Sequence, residues 1–182
     1  MATNATIVKL ALSVSDMNRH YYNSHNLTIA LHPSETPERL MVRVLAFALH
    51  ASNSLSFTKG ISTDDEPDLW DKDLSDVIKL WVELGQPDEK RIKKASGRAE
   101  DVVIYTFQAR NSEPWWKKNQ KALERFDKLS VVRVDTISET KIAQLFERNM
   151  DIQCSIDSDS VYMRSQNHEV ELKLFPLKEK AS

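Results

Sequence analysis

The sequence is poor in glycine and cysteine and contains no long apolar run. Three glycines occur in 182 residues, and none of the glycine-rich patterns that cradle phosphate groups is present. The one cysteine, Cys154, excludes an internal disulfide and any metal site that needs several thiolates. No segment approaches the roughly 18 consecutive apolar residues of a membrane helix, and the N-terminus does not match the pattern of a secretory leader. We therefore expect a cytoplasmic protein.

The charge balance limits which partners the protein can hold. The formal net charge is −2 at pH 7, although 29% of the residues are charged. Bulk electrostatics would not hold such a chain on nucleic acid, so any binding of that kind must come from a local basic patch. The histidines do not have the spacing of metal ligands, and no G-x-S-x-G nucleophile motif occurs.

Regular alternation of apolar and polar residues predicts strands at both ends of the chain. Near the start, residues 8–14 and 27–31 alternate and are separated by turn-forming residues, so we expect them to form a hairpin. Near the end, alternating segments at 152–156, 161–163 and 170–174 predict an antiparallel meander.

The middle of the chain alternates apolar segments with helical patterns. The segments are residues 55–57, 77–83, 102–105 and 131–134, and the run at 77–83 is typical of a central strand buried on both faces. Four helix starts are marked by capping signals or an early proline. They are Thr36 with Pro37 for a helix to about His50, Pro87 with Asp88 for a helix to Arg98, Ser112 with Pro114 for a third, and the capping box of Thr136 and Glu139 for a fourth to about Arg148.

This order of elements predicts an α/β (mixed α+β) protein with a single mixed β-sheet flanked by helices. We expect one domain over residues 1–176, followed by a charged C-terminal tail at 177–182.

Two acidic residues have a spacing with catalytic meaning. Asp68 follows Pro67 in an acidic loop, and Glu83 lies fifteen residues later at the end of the apolar run. Carboxylates brought together at strand ends suit a hard cation such as Mg²⁺, which prefers oxygen ligands. A cation in that position can hold a scissile phosphate and lower the pKa of a bound water. Solvated surface acids are the simpler alternative for such a pair.

Four spaced motifs extend over nearly the whole chain. They are His32-Pro33-Ser34-Glu35-Thr36-x-Glu38-Arg39, Leu55-x-Phe57-Thr58-Lys59-Gly60, Asp65-Glu66-Pro67-Asp68-Leu69-Trp70, and a segment from Leu80 to Ala95 that begins Leu80-Trp81-Val82-Glu83-Leu84-Gly85. Together they resemble the bacterial YaeQ family. The resemblance implies a cytosolic protein whose fold is a variant of the PD-(D/E)xK, restriction-endonuclease-like nucleases.

Carried over by residue, the resemblance makes Pro67-Asp68 the first half of that signature and Glu83 the acidic residue of the second half. The signature lysine, which normally activates the attacking water, falls at Gly85. Gln86 is one substitute, and Lys93 or Lys94 on the following helix is another. Glu38 could add an acid, as helix glutamates do in some of these nucleases. A first-turn glutamate that complements the helix dipole is an equally good interpretation of Glu38.

A basic cluster directly follows Glu83 in the chain. It consists of Lys90, Arg91, Lys93, Lys94 and Arg98. A solvated helix face is the ordinary interpretation, yet basic residues beside an acidic site could contact flanking phosphates. Two hypotheses remain open: a Mg²⁺-dependent nuclease acting through Asp68 and Glu83, and a non-catalytic module that binds nucleic acid or a protein partner.

Overall fold

The computed structural model describes residues 4–59 and 64–182, so Gly60 of the second sequence motif lies outside the described residues. The chain forms two compact units. The first unit comprises Met1–Ala51, Lys59–Asp64 and Thr136–Lys173, and the second comprises Ser52–Thr58, Asp65–Asp135 and Leu174–Ser182.

The described residues form ten strands and three α-helices. The strands are β1 (Thr6–Asp16), β2 (Tyr21–Leu31), β3 (Leu55–Phe57), β4 (Leu69–Lys72), β5 (Ile78–Leu84), β6 (Ala99–Phe107), β7 (Leu129–Thr136), β8 (Asn149–Asp157), β9 (Ser160–Arg164) and β10 (Glu169–Lys178). The helices are α1 (Pro37–Leu49), α2 (Glu89–Arg98) and α3 (Ala109–Leu123). None of these helices is long and apolar enough to cross a bilayer. The expected mixed α+β class is confirmed.

The first unit contains strands in the order β2-β1-β8-β9-β10. β1 and β2 form the expected antiparallel hairpin, and β8, β9 and β10 form the expected antiparallel meander. β1 joins these two parts because it pairs in parallel with β8. Burial alternates along β1, with Val8, Leu10, Leu12 and Val14 facing the core.

Helix α1 begins where the capping residues predict. The Thr36 hydroxyl accepts a hydrogen bond from the Arg39 N–H (3.2 Å), and Pro37 occupies the first helical position, where a missing N–H leaves no partner unsatisfied. A continuous stretch from Leu40 to Ala48 is buried, so α1 supplies much of the core of the first unit.

The second unit contains strands in the order β7-β6-β5-β4-β3. β5, β6 and β7 are parallel neighbours, whereas β4 pairs antiparallel with both β5 and β3. Its core places Trp81 of β5 and Ile104 of β6 against Ile92 of α2 and Leu123 of α3. β5 is buried on both faces only over Trp81–Leu84, because Lys79 is exposed.

Two helix predictions differ from the structure. The prediction of a helix from the capping box of Thr136 and Glu139 is wrong. Thr136 ends β7, and the Ile137 N–H donates to the Glu171 carbonyl (2.8 Å). Only a short 3-10 helix, Ile142–Leu145, follows. The Ser112–Pro114 start is wrong by several residues, because α3 begins at Ala109 and Pro114 lies inside it.

The last residues of the chain continue β10 to Lys178. The ammonium group of Lys178 donates to the carbonyl oxygens of Phe126 (2.9 Å) and Leu129 (3.0 Å). The Ala181 N–H donates to the Asp127 carbonyl (2.8 Å). These contacts hold the C-terminal segment on the second unit.

Candidate active site

The structure brings Asp68 and Glu83 to the same place in the second unit. Asp68 immediately precedes β4, and Glu83 lies on β5, which pairs antiparallel with β4 through Leu69 opposite Val82. The Asp68 N–H donates to the Val82 carbonyl (3.0 Å), so the ladder continues to Asp68. Residues that face each other across antiparallel strands have neighbouring side chains. The fifteen-residue spacing therefore reflects a β-hairpin that places the two carboxylates side by side.

Asp68 is held in a fixed position. Its residue is 2% exposed, and its Oδ2 accepts a hydrogen bond from the Leu84 N–H (3.0 Å). Its carbonyl oxygen accepts the Thr58 N–H (3.3 Å). A buried carboxylate needs such donors, because burial without them strongly disfavours the charged form.

Glu83 is buried as well, at 4% exposure. One oxygen, Oε1, accepts hydrogen bonds from the indole Nε1 of Trp81 (2.8 Å) and from Nε of Arg91 (2.8 Å). Burial raises the pKa of Glu83 above its usual value, the hydrogen bond from Arg91 opposes that rise, and the charge of Asp68 adds to it. The two carboxylates therefore interact electrostatically.

Arg91 is the cation that the structure places at this acid pair. It lies in the first turn of α2, whose N-cap Asp88 accepts the Arg91 N–H (2.8 Å). Its guanidinium also donates to the Glu66 carbonyl (2.8 Å), so it joins the acidic loop to Glu83. The sequence assigned Arg91 only to phosphate binding. The sequence feature that could have indicated the contact between Arg91 and Glu83 is the short connection from Glu83 to the helix capped by Asp88.

Gly85, where the resemblance would place the signature lysine, has a backbone conformation that lysine rarely adopts. β5 ends at Leu84, and Gly85 has a φ of +91°, a value that residues with a side chain rarely adopt. A Cβ added there would meet nothing within 4 Å, so conformation rather than space favours glycine. The Gly85 N–H donates to the Tyr105 carbonyl (2.9 Å). β5 therefore ends at Leu84, and the chain turns at Gly85, two residues after Glu83.

Gln86 makes its hydrogen bonds at the end of β6. Its amide Nε2 donates to the Thr106 hydroxyl (3.1 Å) at the end of β6. Thr106 and Ser112 are both fully buried, and their hydroxyl oxygens lie 2.7 Å apart. Gln86 thus joins the ends of β5 and β6 to the first turn of α3, a network that sequence reasoning missed.

The basic residues of α2 divide between two sides of the helix. Arg91, Lys94 and Arg98 share one side and engage the acidic loop, where Lys94 pairs with the Asp65 carboxylate (2.5 Å) and Arg98 donates to the Asp65 carbonyl (2.5 Å). The hydrogen bond from Lys94 and the positive charge of Lys94 lower the pKa of Asp65.

Lys93 is two residues from Arg91 and lies on the opposite side of α2, because successive helical residues are about 100° apart. Lys93 and Lys90 are both exposed to solvent. Of the basic cluster, Arg91 alone makes the hydrogen bond to Glu83 described above. Glu38 lies in the first turn of α1 in the first unit and is half-buried.

The donor set at this site fits a magnesium ion rather than a structural metal. Mg²⁺ is commonly held by one or two carboxylates and keeps several waters or substrate oxygens. Within residues 4–59 and 64–182, no group of three or more His, Cys, Asp or Glu side chains is arranged to hold a metal. A magnesium ion at this position would take Asp68 and Glu83 as its two protein carboxylates.

Known proteins resemble this chain along almost its whole length. The family model described as "YaeQ protein" matches residues 1–174. A relative from Escherichia coli (strain K12), "Uncharacterized protein YaeQ", is 38% identical over 174 residues, 96% of each chain. The YaeQ crystal structure from Xanthomonas axonopodis pv. citri has a TM-score of 0.91 at 42% identity and covers 98% of this chain and 99% of that one. The YaeQ structure from Pseudomonas syringae has a TM-score of 0.87 at 31% identity over 97% of each.

Proposed function

The chain belongs to the YaeQ family, and from that premise we propose that it is a cytoplasmic Mg²⁺-dependent phosphodiesterase that acts on nucleic acid. Asp68 and Glu83 are the metal-binding carboxylates of this proposal, and the second unit is its restriction-endonuclease-like core. The observation that carries it is the buried carboxylate pair on adjacent strands. The charge of Asp68 contributes to the raised pKa of Glu83.

The residues at the site have distinct roles in this proposal. A divalent cation bound there would orient a scissile phosphate and lower the pKa of an attacking water. Asp68 is fixed by the Leu84 N–H and Glu83 by Trp81 and Arg91, so neither carboxylate must reorganise when substrate arrives. Arg91 keeps its charge at every physiological pH. It stabilises the negative charge that develops on the phosphate.

The exposed cations of α2 and α3 supply contacts for the flanking phosphates. Both helices pack against the core of the second unit, where the Arg125 guanidinium just beyond α3 pairs with Glu89 of α2 (2.6 Å). The exposed lysines are Lys90 and Lys93 on α2 and Lys117, Lys118 and Lys121 on α3. Phosphate contacts of this kind position nucleic acid without reading its sequence.

A second candidate is a non-catalytic module that binds nucleic acid or a protein partner through the same surface. Two observations favour it. Residue 85 is a glycine with a positive φ, so no side chain at that position can activate water, and the Gln86 amide is committed to Thr106. The ion pair of Arg91 with Glu83 would then serve only to fix α2 against β5.

Metal binding tests the acid pair directly. Isothermal titration of the wild-type protein with Mg²⁺ and with Mn²⁺ should give one site, and Glu83→Gln and Asp68→Asn should each abolish it. Glu100→Gln is the matched control, because Glu100 is an exposed carboxylate near the start of β6 that pairs with Lys79. Equal binding by wild type and Glu83→Gln would remove the proposed site.

Cleavage then separates the two candidate functions. Labelled single-stranded and double-stranded DNA and RNA should be cut by the wild type with Mn²⁺ or Mg²⁺, and cutting should stop in Glu83→Gln but persist in Glu100→Gln. If nucleic acid binds with a steep salt dependence and is not cut, the non-catalytic candidate is correct. In that case Lys90→Ala with Lys93→Ala should reduce the slope of binding against salt.

A further inference from the structure

The outer edge of β2 carries backbone groups that no neighbouring strand uses. β2 is the outermost strand of the first unit, and among the described residues it pairs with β1 alone. The Lys9 N–H donates to the carbonyl of Arg148 (2.8 Å), the residue before β8, so it points away from β2. Lys9 and its partner Thr28 are therefore a non-hydrogen-bonded pair. It follows that Thr28 directs its own N–H and C=O away from β1.

Every second residue of β2 shares this outward direction. The set comprises Tyr22, Ser24, Asn26, Thr28 and Ala30. Two local contacts agree with it: the Ser24 N–H donates to the side chain of Asn23 (2.8 Å), and the Ala30 carbonyl accepts from Arg43 (2.8 Å). Over the described ranges, the outward N–H and C=O groups of Tyr22, Asn26 and Thr28 have no hydrogen-bond partner in the protein.

The sequence of this edge lacks the features that usually prevent strand-to-strand association. β2 is eleven residues long, and its register with β1 is unbroken by a bulge. It contains no proline, glycine or charged residue. Exposed edge strands are normally short, charged, bulged or interrupted by proline, because a long regular edge is a template for another strand.

We propose that β2 pairs with β2 of a second copy of this chain, antiparallel about a two-fold axis, to form a homodimer. Because β2 contains no Asp, Glu, Lys or Arg, pairing it with a second copy of itself would not bring like charges together. An antiparallel arrangement is self-complementary, so the outward N–H groups of one copy meet the outward C=O groups of the other. Half-buried Tyr21, Leu27 and Leu31 would gain cover from the new neighbour. The proposal is independent of the phosphodiesterase site.

A proline at the middle of the edge tests the pairing without disturbing the hairpin. Asn26→Pro removes an N–H that points away from β1, and edge strands tolerate proline at such positions. Sedimentation velocity and light scattering on the full chain at micromolar concentrations should show the wild type at twice the chain mass of 20.9 kDa. Asn26→Pro should be monomeric with an unchanged circular dichroism spectrum, whereas the matched control Asn26→Thr, which keeps the N–H, should stay dimeric.

A charged variant protects the test against misfolding of the proline variant. Asn26→Lys keeps every backbone group and sets two like charges near the symmetry axis, so its dimer dissociation constant should rise at least tenfold at low salt and recover partly at high salt. Amide exchange at Tyr22, Asn26 and Thr28 should slow as protein concentration increases. A wild type that is monomeric throughout this concentration range would overturn the proposal. A dimer that survives both Asn26→Pro and Asn26→Lys would overturn it as well.

Discussion

Replacing Arg91 by alanine tests whether this one guanidinium opposes the rise in the pKa of Glu83 that burial causes. Arg91 donates charge-assisted hydrogen bonds to Glu83 and to the Glu66 carbonyl. Bonds to charged groups contribute about 1.5–3 kcal/mol each when the partner is buried. The Arg91 side chain is 24% exposed, which lowers that contribution. We therefore expect Arg91→Ala to reduce the free energy of unfolding by about 2–3 kcal/mol at pH 8.

The dependence on pH identifies the cause of this loss. Without Arg91, the pKa of Glu83 rises further, because the hydrogen bond that lowers it is gone. A carboxyl group whose folded pKa lies above its unfolded value binds its proton more readily in the folded state. Its favourable contribution is present at low pH and is lost as the pH rises through the folded pKa. Arg91→Ala should therefore destabilise the protein more at pH 8 than at pH 5.

Urea unfolding followed by tryptophan fluorescence at pH 5, 6.5 and 8 measures this difference. The matched control is Arg125→Ala, which removes a solvent-exposed ion pair with Glu89. Exposed pairs of this kind contribute about 0–1 kcal/mol, so the control should show a small loss with little dependence on pH. A loss for Arg91→Ala that is the same at pH 5 and pH 8 would refute the assignment. The double variant with Glu83→Gln should also lose the pH dependence.

Two further predictions concern single positions. Burial, with help from the charge of Arg19, lowers the pKa of His50 to about 4, so the unfolded state takes up the proton first. The free energy of unfolding should therefore fall by up to about 3 kcal/mol as the pH drops from about 6.5 to about 4, and a His50→Gln variant that keeps the full slope in urea unfolding would contradict this. Gly85→Lys should cost roughly 1–3 kcal/mol because of the positive φ and give no gain in nucleic-acid cleavage. Unchanged stability in the same urea assay would show that the backbone is not strained.

Much of the fold could be predicted because it depends on local patterns. A single strand, β1, was predicted from its own alternation, and a single helix, α1, from its cap of Thr36 and Pro37. Both predictions are confirmed. The helix expected after Thr136 failed because a good capping box competed with pairing between Ile137 and Glu171, which are 34 residues apart. Strand β4 was missed because its four residues, Leu69–Lys72, are too few to show a period.

The candidate site was only partly predictable for a similar reason. Asp68 and Glu83 could be named because each lies next to a recognisable strand, and the structure places them together. The role of Arg91 could not be predicted, because five basic residues of α2 have the same chemistry and only the helical phase distinguishes them. The turn at Gly85 depends on a backbone angle that composition does not reveal.

The parallel pairing of β1 with β8 has a consequence for the order in which the chain can fold. Leu10 pairs with Met150, a residue that the ribosome adds 140 positions later. The segment from Asp65 to Asp135, which carries the acid pair and the basic helices, is continuous and is synthesised in between. Strand β1 must therefore wait for its second neighbour, β8, while most of the second unit already has its partners. During synthesis, the β1–β2 hairpin is exposed on both edges, and contacts over such long sequence separations form slowly.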